Sequence, residues 1–172
     1  MELLLAMSRL SLVTLFGVSA MMKARDLTPL VNHISLTMKL RWRQARGLAL
    51  ATIAAELATT AALLTVPFLG FIASLALLGC FTVHLSSVLT SGMTTSCACA
   101  GSSESPVSAI HIVRNGILMT VAAAGVALAS LSRPETLATD LVVAAPAALL
   151  GGGILWLDEI AGFFSPRYSR SS

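Results

Sequence analysis

Apolar residues fill the chain in long runs separated by short polar or proline-bearing breaks. The first run covers about residues 3–22, with Arg9 near one end or turned into the bundle. The second spans about 47–66 and stops before Pro67, the third about 68–90, and the fourth about 107–131, closed by Ser132-Arg133-Pro134. A fifth apolar stretch, about 137–157, contains Pro146 and Gly151-Gly152-Gly153. Between residues 47 and 93 the only ionisable side chains apart from Cys80 are Glu56 and His84. At the helical rise that run is about 70 Å long, two crossings of a ~30 Å hydrocarbon core. The pattern predicts an all-α protein, a polytopic membrane helix bundle with a four-helix core and a fifth transmembrane helix. The boundaries expected are a membrane domain at 1–131, the additional helix at 132–160 and a disordered polar tail at 161–172.

The polar breaks set the topology. Residues 23–46 carry Lys23, Arg25, Lys39, Arg41, Arg43 and Arg46 against Asp26. Leu30, Val31, Ile34, Leu36 and Leu40 interrupt this basic loop and predict a short interfacial helix, with Trp42 at headgroup level. By the positive-inside rule this loop faces the cytoplasm, as do the connection ending in Arg114 and the carboxyl tail with Arg167 and Arg170. Val18-Ser19-Ala20 resembles a signal-peptidase site. However, the chain opens Met1-Glu2 and its basic residues follow the apolar run, which suits a retained first helix.

Composition supports the membrane assignment: 56% of residues are hydrophobic and 11% charged, too few charges to cover a soluble surface. The net charge of +3 reads as topology and contact with membrane lipid. No basic stripe with interleaved aromatics is present, so no nucleic-acid partner is expected. No cofactor is expected either. The location expected is the plasma (inner) membrane of a bacterium, as a multi-pass protein.

Candidate chemistry begins with Cys97-Ala98-Cys99, in the Ser-, Thr- and Gly-rich connection after the third run. On a helix, positions i and i+2 face apart; in an extended segment they share a side. Their Cα atoms would then lie ~6.5–7 Å apart, the upper edge of disulfide geometry. Such a bridge is strained and relatively oxidising, suited to exchange with a partner thiol, or the dithiol can chelate a soft metal. The plain alternative is two small apolar side chains filling space. Cys80 and His84 are four residues apart and share a helix face, but no third ligand stands on that face, so a packed thiol and a hydrogen-bonded histidine are expected.

Glu56 lies in the middle of the second run. A carboxylate at membrane depth is expensive, so it is expected to be protonated, paired or turned to a wet cavity. Thr52, Glu56, Thr59 and Thr60 form a polar stripe at helical spacing, which turns Glu56 inward. It can carry protons near the thiols or hold two helices together. Arg114, with Asn115, opens the fourth run; Arg114 can lower a thiol pKa on the same membrane face or anchor the helix end.

In this order, the features resemble the MauE family of methylamine-utilisation membrane proteins, related in architecture to DoxX-like proteins. The resemblance covers about residues 10–131. It rests on Phe16-Gly17-Val18-Ser19-Ala20 with Lys23 and Asp26 after it, on Glu56, on Cys97-Ala98-Cys99-Ala100-Gly101, and on Ser108 with Arg114-Asn115. Both cysteines, Gly101 and the Arg-Asn pair match the family pattern Cys-Gly-Cys-Phe-Gly…Arg-Asn. Ala98 and Ala100 replace its glycine and phenylalanine.

The resemblance implies a membrane protein that matures a periplasmic, disulfide-rich enzyme subunit, in the founding case the small subunit of methylamine dehydrogenase, by exchanging redox equivalents with a thioredoxin-like or disulfide-rich client. Cys97 and Cys99 would cycle between dithiol and disulfide, Arg114 would stabilise a thiolate and Glu56 would handle protons. With the thiol connection on the cytoplasmic face, serving a periplasmic client requires a relay of electrons from the cytoplasm or a pair that moves between accessibilities. Lys23 with Asp26 would order the facing loop, with Gly101 and Asn115 in support. Two other readings of the residues stand beside it. One is a non-catalytic transport or assembly subunit packed through Ala122-Ala123-Ala124-Gly125 and Gly151-Gly152-Gly153. The other is a soft-metal-handling protein using Cys97, Cys99 and His111.

Overall fold

The computed structural model describes residues 2–91, 109–131 and 142–153. Among them there are six helices: α1 (Glu2–Arg25), α2 (Thr28–Met38), α3 (Trp42–Thr65), α4 (Pro67–Thr90), α5 (Ala109–Leu131) and α6 (Val142–Gly153). The protein is all-α, and α1, α3, α4 and most of α5 are each long and apolar enough to cross a membrane. This is the predicted four-helix core.

The long helices alternate in direction and close into a ring. α1 packs on α3 and α5, and α4 packs on the same two. Gly17 lies opposite Thr60 across α1 and α3, while Gly125 of α5 meets Phe71 of α4. The carboxyl ends of α1 and α4 therefore share one end of the ring with the amino ends of α3 and α5. The buried face of α1 (Leu5, Arg9, Leu12, Phe16, Ser19, Ala20, Lys23) follows the three- and four-residue spacing of one helix stripe. Val18-Ser19-Ala20 therefore lies inside α1, with Ser19 and Ala20 buried.

The apolar core sits toward the opposite end, where Leu5, Leu12, Phe16, Leu63, Phe71, Leu118 and Ala122 pack together. Pro67 has no N–H to continue α3 and instead occupies the first turn of α4. Directly after this break α4 folds back on α3 so closely that a Cβ at Gly70 would stand 2.5 Å from Leu63 Cα. Only glycine fits this approach.

Two boundaries differ from the sequence expectation. α3 begins at Trp42 rather than 47, because the helix continues past the apolar run through Arg43 and Arg46, both exposed. Gln44 Oε1 accepts the Arg41 backbone N–H at 3.2 Å at this end, and the Arg46 guanidinium lies over the Trp42 ring. The extension gives α2 a surface to dock on. Leu30, Val31 and Ile34 of α2 bury themselves against Ala45 and Ala49 of α3. Leu36, expected on the apolar face, is instead exposed. Lys39 ends α2 in the left-handed conformation at φ 53°.

The fifth apolar stretch is described only as α6, which by itself is shorter than the ~20 residues a crossing needs. Its buried positions Val143, Ala147 and Gly151 recur every fourth residue. A Cβ at Gly151 would stand 2.5 Å from the Ser11 carbonyl oxygen, so α6 lies directly on α1. The expected tail at 161–172 lies outside the described residues.

Candidate functional site

The most deeply buried charges among the described residues meet across α1 and α3. Lys23 Nζ donates to Glu56 Oε1 in an ion pair whose side chains are 2% and 1% exposed. Ser19, one turn before Lys23, donates its hydroxyl to the same oxygen at 3.2 Å. The second carboxylate oxygen, Oε2, is buried and accepts no hydrogen bond from the described residues. Phe81 of α4 covers the pair, with Lys23 Nζ 5.2 Å from the ring centroid in cation–π geometry. The basic residue after the first apolar run is therefore not a loop charge. It is the counter-ion that makes a carboxylate at membrane depth tolerable.

A mainly apolar hollow of about 30 Å³ opens beside Glu56, bordered by Ser19, Arg114 and Asn115 and by Phe16, Phe81 and Leu118. A space of that size admits a water molecule, and its polar groups can hold one. Arg114 and Asn115 are both buried. Asn115 Nδ2 donates to Thr82 Oγ1 at 3.4 Å, and Thr82 passes its own hydrogen to the Leu78 carbonyl at 2.8 Å. The fold thus brings Glu56, Arg114 and Asn115, distant in sequence, around one small cavity, with Lys23 paired to Glu56.

A second polar pair lies nearer the α2 end. His33 of α2 and His84 of α4 face each other with Nε2 to Nε2 at 3.1 Å and rings at 77°. At that distance one nitrogen carries the hydrogen and the other accepts it. A cavity of about 180 Å³ opens on both rings, on Lys23 and Phe81, and on Cys80. Cys80 is a free thiol.

Several assigned residues take other places. Asp26 is exposed and does not reach Lys23; its Oδ1 accepts the Thr28 N–H at 2.9 Å and shapes the turn into α2. The threonines of the polar stripe are mostly self-satisfied: Thr52, Thr59 and Thr60 each donate to the carbonyl four residues back, leaving Glu56 as the stripe's acid. Cys97, Cys99 and Gly101 lie outside the described residues. His111 is buried. Among the described residues no group of three His, Cys, Asp or Glu side chains is placed to hold a metal ion.

Three participants escaped the sequence reading: Phe81, Thr82 and His33. His33 carried a signal, since it stands three residues after Leu30 on the apolar face of a short amphipathic helix. A histidine on that face has to find a polar partner when the helix docks.

A ring of four membrane-length helices around a buried ion pair, with the basic loop and a short docked helix at one end, defines a multi-pass membrane protein. The family described as Methylamine utilisation protein MauE matches residues 1–128, and the chain belongs to that family. Neither a curated protein nor a solved structure matches it.

Proposed function

We propose that this protein is a thiol–disulfide component of a bacterial plasma membrane, supporting the maturation of a disulfide-rich or thioredoxin-like partner in methylamine utilisation. The observation that carries the reading is an arrangement in space. The connection bearing Cys97 and Cys99 leaves α4 at Ser91 and re-enters at α5, at the end of the ring toward which Lys23, Glu56, Arg114, Asn115 and the histidine pair gather. Family membership supports it.

In this reading the reactive groups are the thiols, and the buried polar cluster serves them. A thiolate of the pair attacks a partner disulfide, a mixed disulfide forms, and the second thiol displaces the partner as a dithiol. Oxidation of the pair by a partner is the same sequence reversed. The Arg114 guanidinium favours the thiolate, and Glu56 exchanges a proton with it through the small cavity. Lys23 keeps Glu56 in place, and Asn115 ties α5 to α4 beside it. Residues 1–131 form the working domain, and α6 docks on it through Gly151.

The test is substitution with trapping. Cys97→Ser and Cys99→Ser each abolish maturation of the client, and one of them accumulates a mixed disulfide with the partner. Full activity in both variants overturns the reading. The alternative, a non-catalytic assembly or transport subunit, draws on the tight contacts at Gly125 and Gly151, which suit a purely packed role. It predicts that both serine variants are fully active.

A further inference from the structure

The geometry points to a binding site for a lipid-soluble quinone in the cavity beside the His33–His84 pair. Its redox use rests on the thiol–disulfide reading; its binding does not.

Access defines the first property of the ligand. The cavity of about 180 Å³ shares Met38, Cys80 and His84 with a groove of about 990 Å³ along α4. Ala76, Gly79, Cys80 and Val83 follow one another at helical spacing along the groove wall. Val83 is 69% exposed on a membrane-length helix, so the groove opens toward lipid. A ligand entering this way comes from the membrane.

The inner end defines the second property. The cavity is largely apolar, walled by Leu30, Ile34, Leu48 and the Phe81 ring, yet Lys23 and the two histidines border it. Lys23 has hydrogens beyond the one given to Glu56, and His84 has a second ring nitrogen beyond the one facing His33, which suits a ligand that offers carbonyl acceptors and needs no charge of its own.

Size defines the third. The cavity lies below the ~300–1,000 Å³ of pockets for drug-sized ligands, so it takes a single substituted ring. The adjoining groove takes a long apolar tail. A flat ring with carbonyl oxygens and a hydrocarbon tail is a quinone. A phospholipid would set its phosphate at the outer end, where Lys39 and Ser91 border the groove, and would leave the histidine end unfilled.

The chemistry balances with the thiol pair. Two S–H bonds of Cys97 and Cys99 break and one S–S bond forms, releasing two electrons and two protons. The quinone takes both electrons and both protons, forming two O–H bonds as it becomes the hydroquinone. The histidine pair and Lys23, itself paired to Glu56, border the place where those protons are delivered.

The test uses the full-length protein in phosphatidylcholine nanodiscs with a decyl-tailed benzoquinone. Saturable binding is expected, weakened at least tenfold by His84→Phe, which removes a donor, and by Gly79→Phe, which obstructs the groove. A Cβ at Gly79 meets nothing within 4 Å, so that variant keeps the packing and decides the matter if His84→Phe fails to fold. Unchanged affinity in Gly79→Phe overturns the site, as does a co-purified phospholipid that the quinone does not displace. Reduced protein should bleach the quinone absorbance with one quinone reduced per chain, and Cys97→Ser should bleach none. Binding without bleaching overturns the redox use while the binding site stands, and the thiol reading falls separately if Cys97→Ser and Cys99→Ser both keep full client maturation.

Discussion

The two ends of the helix ring solve the membrane problem with different chemistry. At the Pro67 end, Leu5, Leu12, Leu63, Phe71 and Ala122 form the apolar core, Arg9 is the one buried charge among the described residues there, and glycine sets how near the backbones come. Toward the other end, Lys23, Glu56, Arg114, Asn115, His33 and His84 are buried where lipid-like packing would have been simpler. A buried ion pair is weak evidence for stability, because desolvation cancels much of its attraction. Its presence in one half of the ring, next to a water-sized cavity, is the ground for proposing that half as the working half. Apart from Arg9, packing and buried polar chemistry are therefore divided along the bundle axis rather than shared.

The largest expected effect breaks the polar half. Lys23→Met or Glu56→Leu alone leaves an unpaired charge where its partner was buried and costs about 3–5 kcal/mol. A thermal melt in detergent should show the loss. The double variant Lys23→Met/Glu56→Leu should recover most of that stability and still lack client maturation. A double variant that is both stable and fully active would reduce the pair to a structural device.

A smaller effect tests the apolar half. Gly70→Ala places a methyl group against the Leu63 backbone, which cannot yield as a side chain would. It should cost about 1–3 kcal/mol, the usual penalty of overpacking. Activity per folded molecule should be unchanged. Loss of activity in a folded Gly70→Ala protein would show that the two halves are coupled.

Smaller still is Asp26→Ala. Removing the carboxylate that accepts the Thr28 N–H should cost about 1 kcal/mol, typical of a lost helix-start bond. Thiol cycling should persist, because Asp26 takes no part in the Lys23–Glu56 pair. Smallest is Asn115→Ala, which gives up a long hydrogen bond to Thr82 for about 0.5 kcal/mol. Here the activity assay is more telling than the melt, since Asn115 borders the cavity at Glu56.

The apolar half was legible in the sequence because its signal is local. Uninterrupted hydrophobic runs and Pro67 predict the long helices within a few residues, and the stripe from Thr52 to Thr60 predicts that Glu56 faces inward. The polar half was legible only in part, because pairing between helices is written in neither helix alone. Lys23 reads as one more basic residue of a topogenic loop until α1 and α3 are laid side by side. His84 lacked a partner on its own helix face, and the partner arrived from α2, which docks only because α3 extends to Trp42. Asp26 was the natural local partner for Lys23, yet a turn-forming aspartate satisfies its nearest backbone N–H first.

The most direct measurement is alkylation trapping of Cys97 and Cys99 in intact cells, in the wild-type protein and in the folded Lys23→Met/Glu56→Leu variant. The wild-type pair should be found in both dithiol and disulfide forms and should shift between them as the client is expressed. The variant should be held in one form. A wild-type pair that never changes its redox state, or a variant that cycles as freely as the wild type, would contradict the account.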